Sequence, residues 1–221
     1  MIPGFTFDPK DHIYRYLGKR VWSNTQLLNE YKLIDFTNVP EARLFYKQQL
    51  GTAVHYACHL LVNTNLDEAS LDKCDETLKA ICPGEHKSIK GYIDAFRKFC
   101  EVTGFEARHS ELPLYSKRFG FATTLDLQGP FVWQGKERES IIELKCTWEL
   151  MPSNRPQTAG QEIAFNENYP KIKNKSRFGL KLKEDSCYDI IEYNSPRDKQ
   201  VFLACLEIHR FREENGLVKD A

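Results

Sequence analysis

The sequence predicts an α/β fold, and two observations support that prediction. Apolar residues recur at helical spacing in the first half, whereas from about residue 107 they follow the pattern of strands. The chain has 221 residues, 41% of them hydrophobic, which is enough for one domain with a sizeable core. Because we find no repeat and no low-complexity linker, we expect a single domain over residues 1–221. In it, an N-terminal part of about residues 1–105 would pack on a core of about residues 106–221.

The first half predicts a hairpin and four helices. Within residues 5–22 the stretch DHIYRYL alternates and Gly18 marks a turn, which is typical of a short hairpin. Ser23, Asn24 and Thr25 offer an N-cap for the helix that follows. The helices are predicted over residues 26–33, 41–63, 70–81 and 86–103.

The second half predicts a sheet and two helices. A turn at residues 134–136 joins two of the strands, and Glu184 and Asp185 form the turn between two others. Pro152 and Pro156 precede the first helix. The strands are predicted over residues 108–116, 120–133, 140–148, 176–183 and 188–194, and the helices over residues 157–168 and 198–215.

Composition excludes several classes of protein. Lysine plus arginine and aspartate plus glutamate each number 31, so the whole molecule has no net field that attracts nucleic acid. The seven cysteines are scattered without a C-x-x-C pair, which argues against a disulfide framework, a zinc ribbon or an iron–sulfur site. No apolar run is long enough to span a bilayer, and MIPGFTFDPK lacks the apolar core of a secretion signal. We therefore expect a cytoplasmic protein with free thiols and no membrane contact.

A basic segment in the last third of the chain is a candidate contact for a local polyanion. By itself such a segment is typical of a solvated loop that leads into an edge strand, where lysines discourage pairing between sheets. It gains interest only if the neighbouring site handles phosphates. Its six cations, with no acid among them, are Lys171, Lys173, Lys175, Arg177, Lys181 and Lys183.

The stretch IIELKCTW predicts a buried strand that carries a charged pair. Glu143 and Lys145 lie two residues apart and therefore project to the same side. Burying such charges costs several kcal/mol per ion unless they are compensated. Asp126, on the strand that should pair with this one, brings a second carboxylate, and two carboxylates can hold a hard cation such as Mg²⁺. Lys145 could then orient or activate a water molecule or stabilise charge on phosphate.

Three further side chains are candidate site residues, but each of them alone is a weak indication of a site. Glu111, alone, is typical of a surface residue, and a helical histidine such as His55 is more often a structural group than a ligand. Gln157 opens the helix after the charged strand, where a glutamine is most often solvated. His59 and Gln161 lie one helical turn beyond His55 and Gln157 and compete for the same roles.

Taken in chain order, these motifs resemble those of PD-(D/E)xK nucleases of the RecB-like and lambda-exonuclease-like branch, which bacteriophages often encode. The resemblance runs from about Phe7 to the final helix, and the opening hairpin also resembles that of phage members. Gln161 stands where the family usually has tyrosine, which leaves the role of that position open. The matching motifs are Gly51-x-x-x-His55, Glu111 in ELPLYS, Asp126 in GFATTLDLQG, Glu143-Leu144-Lys145, and Gln157 in QTAGQEIAF.

The resemblance implies a restriction-endonuclease-like core, with a central mixed β-sheet flanked by helices, and one or two Mg²⁺ or Mn²⁺ ions. Asp126 and Glu143 would bind metal, with the Leu144 carbonyl as a further ligand. Glu111 and His55 would assist at a second metal position. By the same analogy Lys145 would activate the attacking water, and Gln157 would position Lys145 or the substrate. No iron–sulfur cluster is implied.

The implied substrate is DNA with free ends, and the implied context is phage recombination or replication. A single-strand annealing protein is the expected partner, and relatives that form rings raise the prospect of a homo-oligomer. The segment from Lys171 to Lys183 becomes a candidate phosphate-contacting edge. Arg20, Ser23 and Thr25 form a second candidate, because hydroxyls and an arginine at a helix N-terminus suit a terminal 5′ phosphate; the alternative is a plain N-cap.

Two other functions remain open at this point. The first is a structure-specific or nicking endonuclease on the same fold. The second is a non-catalytic module that binds nucleic acid or protein on a decayed nuclease fold. The second is disfavoured because Asp126, Glu143 and Lys145 are all present.

Overall fold

The computed structural model describes residues 2–82, 84, 88–172 and 176–217. Its first element is a small antiparallel sheet of β1 (Phe5–Asp8), β2 (Ile13–Tyr16) and β3 (Lys19–Arg20). Four helices follow: α1 (Asn24–Glu30), α2 (Glu41–Val62), α3 (Glu68–Ile81) and α4 (Lys90–Thr103). The predicted hairpin thus has a third short strand.

The central sheet is mixed and has five strands in the order β4 (His109–Ser116), β5 (Phe121–Trp133), β6 (Lys136–Lys145), β7 (Ser176–Leu182) and β8 (Tyr188–Glu192). Neighbouring strands are antiparallel except β6 and β7, which run parallel. Parallel neighbours need a long crossover, and α5 (Asn154–Asn168) provides it. The last helix is α6 (Arg197–Glu214).

Helices cover both faces of the central sheet. On one face, α2 and α4 share an apolar layer with β6 residues Ile142 and Leu144, and α3 packs on α2. On the other, α1, α5 and α6 pack around Ile141 of the same strand. The alternation of β6 side chains between two apolar layers explains why this strand reads as a nearly continuous apolar run. The predicted fold class, a central mixed sheet flanked by helices, is confirmed.

Element boundaries differ from the predictions at several places. Strand β6 ends at Lys145, so Cys146 to Trp148 belong to the loop before α5. Helix α5 begins at Asn154 rather than 157, because Pro156 is tolerated in a first helical turn. Helix α4 begins at Lys90 rather than 86, and residues 86 and 87, which the prediction included in the helix, lie outside the described residues.

Two further observations bear on the compositional predictions. All seven cysteines are free thiols, five of them buried. Within the described ranges, none of the helices combines the length and the apolar character needed to cross a bilayer.

Candidate active site

The candidate residues meet where β5 and β6 separate. The antiparallel register between these strands runs from Trp133 opposite Lys136 to Leu127 opposite Ile142 and ends there. Beyond that point the backbone N–H of Leu144 donates to Asp126 Oδ2 at 2.8 Å. The Leu144 carbonyl oxygen lies 3.2 Å from His55 Nε2. Backbone groups freed by the separation of the strands are therefore satisfied by two predicted site residues.

The odd-numbered side chains of β5 switch from one side of the sheet to the other at Asp126. Phe121 and Leu125 pack into the apolar cluster on the side of α5 and α6. Leu127 and Phe131 pack into the cluster on the side of α2 to α4. All four positions are odd-numbered, and strict alternation along a strand would put them on one face. The extended chain therefore breaks its alternation at the candidate metal ligand.

Strand β4 makes the matching change at Glu111. Ser110 contacts His59 of α2, whereas Leu112 packs on the opposite side of the sheet. Glu111 itself has a φ of 49°, a left-handed conformation that is uncommon for a residue other than glycine and tends to occur at functional sites. The registered pairs on either side, Ser110 with Leu127 and Leu112 with Leu125, leave Glu111 opposite Asp126. The two irregular positions turn both carboxylates toward α2.

His55 on α2 completes a group of three possible metal ligands. Its Nδ1 lies 3.4 Å from Glu111 Oε1 and 3.8 Å from Asp126 Oδ1. One ligand atom from each residue lies within 4.8 Å of the other two. Carboxylate oxygens suit Mg²⁺ and Mn²⁺, and an imidazole nitrogen is a common ligand of Mn²⁺ and other transition metals. His59 instead bonds Ser110 Oγ at 3.0 Å, so His55 is the histidine that faces the acids.

When no cation is bound, the carboxylates around Asp126 and His55 repel one another. Burial raises the pKa of Asp126 to about 8, and the negative charge of Glu143 adds to the rise. Burial alone would lower the pKa of His55, but Asp126 and Glu111 outweigh it and raise that pKa to about 9. Buried acids crowded in this way favour a positive charge among them. The donor atoms and the electrostatics both fit a divalent cation.

The point where β5 and β6 separate forms a fork in the sheet. Glu143 and Lys145 lie on the side of this fork that faces α5. The Glu143 carboxylate is 2% exposed. Its Oε1 accepts hydrogen bonds from Lys145 Nζ at 2.5 Å and from Gln157 Nε2 at 2.6 Å, and its Oε2 accepts one from Gln161 Nε2 at 2.6 Å. Burial lowers the pKa of Lys145, but Glu143 and Asp126 raise it more, so the net shift is upward. The buried charge of Glu143 is therefore compensated by an ammonium group and two amides.

This arrangement differs in one respect from the ligand set implied by the sequence. His55, Glu111, Asp126 and the Leu144 carbonyl come together at one side of the fork. Glu143 lies outside that group of three side chains, and its hydrogen bonds within the described part of the chain go to Lys145 and α5. Its Oε1 accepts two of these bonds and its Oε2 one, so Oε2 is the oxygen with a lone pair left for a metal ion.

Gln161 is the side chain whose role the sequence did not reveal. It lies one turn after Gln157 on the same face of α5 and is 1% exposed. Its Nε2 reaches both Glu143 and the carbonyl of Thr124 on β5, the latter at 3.2 Å. Its neighbour Asn24 donates to the carbonyl of Gln157 at 2.6 Å and thereby fixes the start of α5. The spacing of two glutamines by four residues was the available signal, but an amide pattern of this kind is common on solvated helices.

The small N-terminal sheet also reaches the site. Tyr14 Oη lies 2.7 Å from Thr124 Oγ1, two residues before Asp126, and 3.0 Å from His12 Nε2. Burial raises the pKa of Tyr14 well above its ordinary value, so its hydroxyl stays protonated. The hairpin predicted from the sequence therefore braces the strand that carries Asp126, a role the sequence did not indicate.

The predicted anion site before α1 is only partly available. Ser23 is buried, and its Oγ accepts from the backbone N–H of Gln26 at 3.1 Å while Gln26 Oε1 accepts from the N–H of Ser23 at 2.9 Å. This capping box commits both groups of Ser23 to the helix, as the plain N-cap alternative holds. Ser23 is thus unavailable to a phosphate, whereas Arg20 and Thr25 are exposed.

The predicted basic edge also needs correction. Arg177 is 4% exposed and forms ion pairs with Asp198 at 3.0 Å and Glu162 at 3.1 Å, so it joins β7 to α5 and α6 and cannot reach DNA, contrary to the expectation. Lys171 is exposed, and Lys173 and Lys175 lie outside the described residues. Lys181 and Lys183 both pair with Asp189, at 2.6 Å and 2.7 Å.

Comparisons with known proteins give distant structural similarities. No family model matches the sequence, and no curated protein matches it. The chain is similar to a candidate exonuclease from Eubacterium rectale, with 14% identity, a TM-score of 0.45 and coverage of 77% of this chain and 69% of that one. It is also similar to an alkaline exonuclease from Laribacter hongkongensis, with 14% identity, a TM-score of 0.38 and coverage of 90% and 95%. That enzyme in complex with dAMP gives 14% identity, a TM-score of 0.36 and coverage of 89% and 93%. Similarities of this size do not assign an activity.

Proposed function

We propose that this protein is a metal-dependent nuclease that hydrolyses phosphodiester bonds in DNA and works from the ends of linear molecules. The observation that supports it most is the group formed by His55, Glu111 and Asp126, whose ligand atoms lie within 4.8 Å of one another. The Glu143–Lys145 pair lies beside this group at the same fork in the sheet. The motif order that resembles PD-(D/E)xK nucleases extends the proposal to DNA as substrate and to its ends as the point of attack.

The metal would be held by Asp126, Glu111 and His55, with the Leu144 carbonyl facing the same space. Mg²⁺ or Mn²⁺ bound there would supply positive charge for the phosphate oxygens and for the activation of water. Two irregular strand positions support this assignment, because Glu111 and Asp126 leave the regular alternation at the same level of the sheet. We expect this arrangement to be maintained by the strands and by the Asp126 bond to the Leu144 backbone.

Lys145 would act on the reacting phosphate as a positioned donor. Its Nζ is held by Glu143 Oε1, which Gln157 and Gln161 in turn keep in place. From that position the ammonium group can orient the attacking water or stabilise the negative charge that develops on phosphorus oxygens. In the reaction the water gives up one proton to solvent as its oxygen bonds to phosphorus, the bond from phosphorus to the leaving oxygen breaks, and the leaving oxygen takes up a proton from solvent.

On the strength of the same resemblance, we place this activity in phage recombination or replication, beside a strand-annealing protein. The same resemblance implies assembly into a ring, which the mass of the protein in solution would test. The phage context and the ring both extend the nuclease proposal, and neither is evidence for it.

The test compares linear with covalently closed circular DNA, in Mg²⁺, in Mn²⁺ and in EDTA. Wild-type protein is compared with Lys145→Ala and with Lys136→Ala, a control lysine exposed at the opposite end of β6. We expect metal-dependent loss of the linear DNA alone, abolished in Lys145→Ala and unchanged in Lys136→Ala. Cutting of the circle would establish an endonuclease instead. If well-folded protein cuts neither substrate, the nuclease proposal is wrong and a binding module is favoured.

A further inference from the structure

Trp148 is the most exposed large apolar side chain in the described part of the chain. Its relative exposure is 92%, against 70% for Leu17 and 63% for Phe211. Single exposed apolar residues are common on protein surfaces, so exposure alone carries no argument. What distinguishes Trp148 is its position relative to the candidate active site.

The backbone of Trp148 is fixed at the edge of the sheet where Lys145 lies. Trp148 follows Lys145 by three residues, so their Cα atoms lie within about 10 Å. Lys145 is in register with Lys181 on the parallel neighbour β7, and Lys181 Nζ donates to the Trp148 carbonyl at 3.1 Å. Lys181 is held in turn by Asp189 at 2.6 Å. The backbone of Trp148 is thus tethered three residues from Lys145, and its indole is exposed to solvent.

The loop that carries Trp148 is ordered by its own hydrogen bonds. Thr147 Oγ1 donates to the Glu149 carbonyl at 2.7 Å, and the N–H of Asn154 donates to the Met151 carbonyl at 3.0 Å. An aromatic ring on a fixed backbone loses little conformational entropy when a flat partner stacks on it. The exposed indole is therefore a surface for stacking that is carried on an ordered backbone.

Lysines and acids both lie around the base of this loop. Lys145 pairs with Glu143, and Glu149 follows Trp148 directly in the sequence. On the other side, Lys181 and Lys183 both pair with Asp189, and the negative charge of Asp185 also acts on Lys183. Lysine ammonium groups near an exposed aromatic ring can contact phosphates while a base stacks on the ring, as in proteins that bind single-stranded nucleic acid.

We propose that the Trp148 indole stacks on a nucleobase next to the scissile phosphate, and that the preferred substrate is therefore a DNA end with an unpaired or terminal base. This inference rests on the proposed nuclease function and specifies its substrate. Inside a duplex both faces of each base are covered by neighbouring bases, so a planar side chain can stack without the cost of unstacking a step only where the strand ends or is unpaired. A covalently closed circle offers no such face, which makes stacking by Trp148 a physical basis for choosing ends.

Intrinsic fluorescence in EDTA tests the contact without cleavage. Trp22 and Trp133 keep their indole N–H groups buried, so Trp148 is the tryptophan that a ligand can reach. We expect a single-stranded thymidine 12-mer to quench the emission of wild-type protein and not that of Trp148→Phe. In an anisotropy assay with the labelled 12-mer, Trp148→Ala should bind about 5- to 150-fold more weakly, while Trp148→Phe retains most of the affinity. Phe211→Ala, on the exposed face of α6, is the control and should bind like wild type.

Cleavage of the same 12-mer with Mg²⁺ or Mn²⁺, measured in parallel, separates failure of this inference from failure of the proposed function. If wild-type protein cleaves DNA but Trp148→Ala binds normally and no quenching is seen, the stacking contact is refuted and the nuclease stands. If wild-type protein fails to cleave yet shows quenching and Trp148-dependent binding, the nuclease proposal falls and base stacking stands. Loss of self-association in Trp148→Ala, with unchanged DNA binding, would make the indole a protein contact and would also refute the proposal.

Discussion

At the scale of single residues, the two carboxylate oxygens of Asp126 make different contacts in the site. One carboxylate oxygen accepts from the Leu144 N–H and so holds the fork together, and the other faces His55. Burial and the negative charge of Glu143 make the ionised form costly, raising the pKa of Asp126 to about 8 in the absence of a cation. The residue is therefore poised to exchange a proton for a metal ion.

Asp126→Asn tests this directly. The amide keeps the shape of the side chain but lowers its affinity for a cation, so we expect Mn²⁺ binding to weaken by at least about 100-fold and metal-dependent DNA cleavage to fall with it. Calorimetry with Mn²⁺ alone measures the first effect independently of catalysis. Asp72→Asn, at an exposed position of α3, is the matched control and should leave both unchanged. Normal Mn²⁺ binding by Asp126→Asn would remove Asp126 from the metal site.

Gln161 gives a second prediction at this scale, because its amide serves Glu143 and Thr124 at once. Gln161→Leu would leave a buried carboxylate oxygen of Glu143 without that donor, which costs about 1–3 kcal/mol. Gln161 Oε1 has no partner among the described residues, so removing it offsets part of the loss and we expect a net value near the lower end. Urea unfolding measures the change. A leucine variant as stable as wild type, with unchanged cleavage, would show that Gln157 and Lys145 suffice to hold Glu143.

At the scale of elements, the approach of α5 to its neighbours sets the position of Gln157 and Gln161. Gly160 makes this approach possible, because a Cβ there would lie 2.7 Å from Asn24 Nδ2 and 2.9 Å from the Phe202 ring. Gly51, in the middle of α2, is the opposite case: a Cβ at that position meets nothing within 4 Å. The two glycines occur in helix interiors for different reasons.

A matched pair of alanine variants separates those reasons. Gly51→Ala should stabilise the protein by about 0.5–1 kcal/mol, because alanine favours the helix and nothing obstructs it. Gly160→Ala should destabilise it by about 1–2 kcal/mol, since overpacking against α1 and α6 exceeds the helix gain. Denaturant midpoints at equal m-value measure both. If Gly51→Ala is stabilised yet loses cleavage, the Gly-x-x-x-His motif serves the substrate rather than the fold.

Most helices and strands could be predicted from the sequence. For the candidate site, the sequence predicted the residues better than it predicted their arrangement. Periodicity locates α2 because it buries a regular face, and a continuous apolar run locates β6 because both of its faces are buried, so the local pattern and the tertiary environment agree. At Glu111 and Asp126 the side chains of β4 and β5 stop alternating regularly between the two sides of the sheet. The sequence does not show this break, which becomes visible in the packing of Leu125 and Leu127 on opposite sides. Arg177 was misread because a charged residue in a basic run looks solvated until Asp198 and Glu162 are found around it.

At the scale of the whole molecule, the candidate metal site joins segments that are far apart in sequence. His55 comes from the helical part of the chain, whereas Glu111 and Asp126 come from two strands of the central sheet. A ligand that binds all three in the folded state alone stabilises every element that must be folded to present them. The formal net charge is zero, so any preference for a cation arises from this local group and not from the charge of the protein as a whole.

This linkage predicts how metal affects thermal unfolding. Mn²⁺ at about 100 times its dissociation constant should add roughly 2.7 kcal/mol to the free energy of unfolding, which corresponds to a rise of about 5–10 °C in Tm. The rise should continue with the logarithm of Mn²⁺ concentration and should be absent in Asp126→Asn, whose ligand set is incomplete. Scanning calorimetry in EDTA and at stepped Mn²⁺ concentrations measures it without any DNA. An equal rise in wild type and in Asp126→Asn would mean that Mn²⁺ binds elsewhere, and the group at the fork would then be a structural ion-pair network rather than a metal centre.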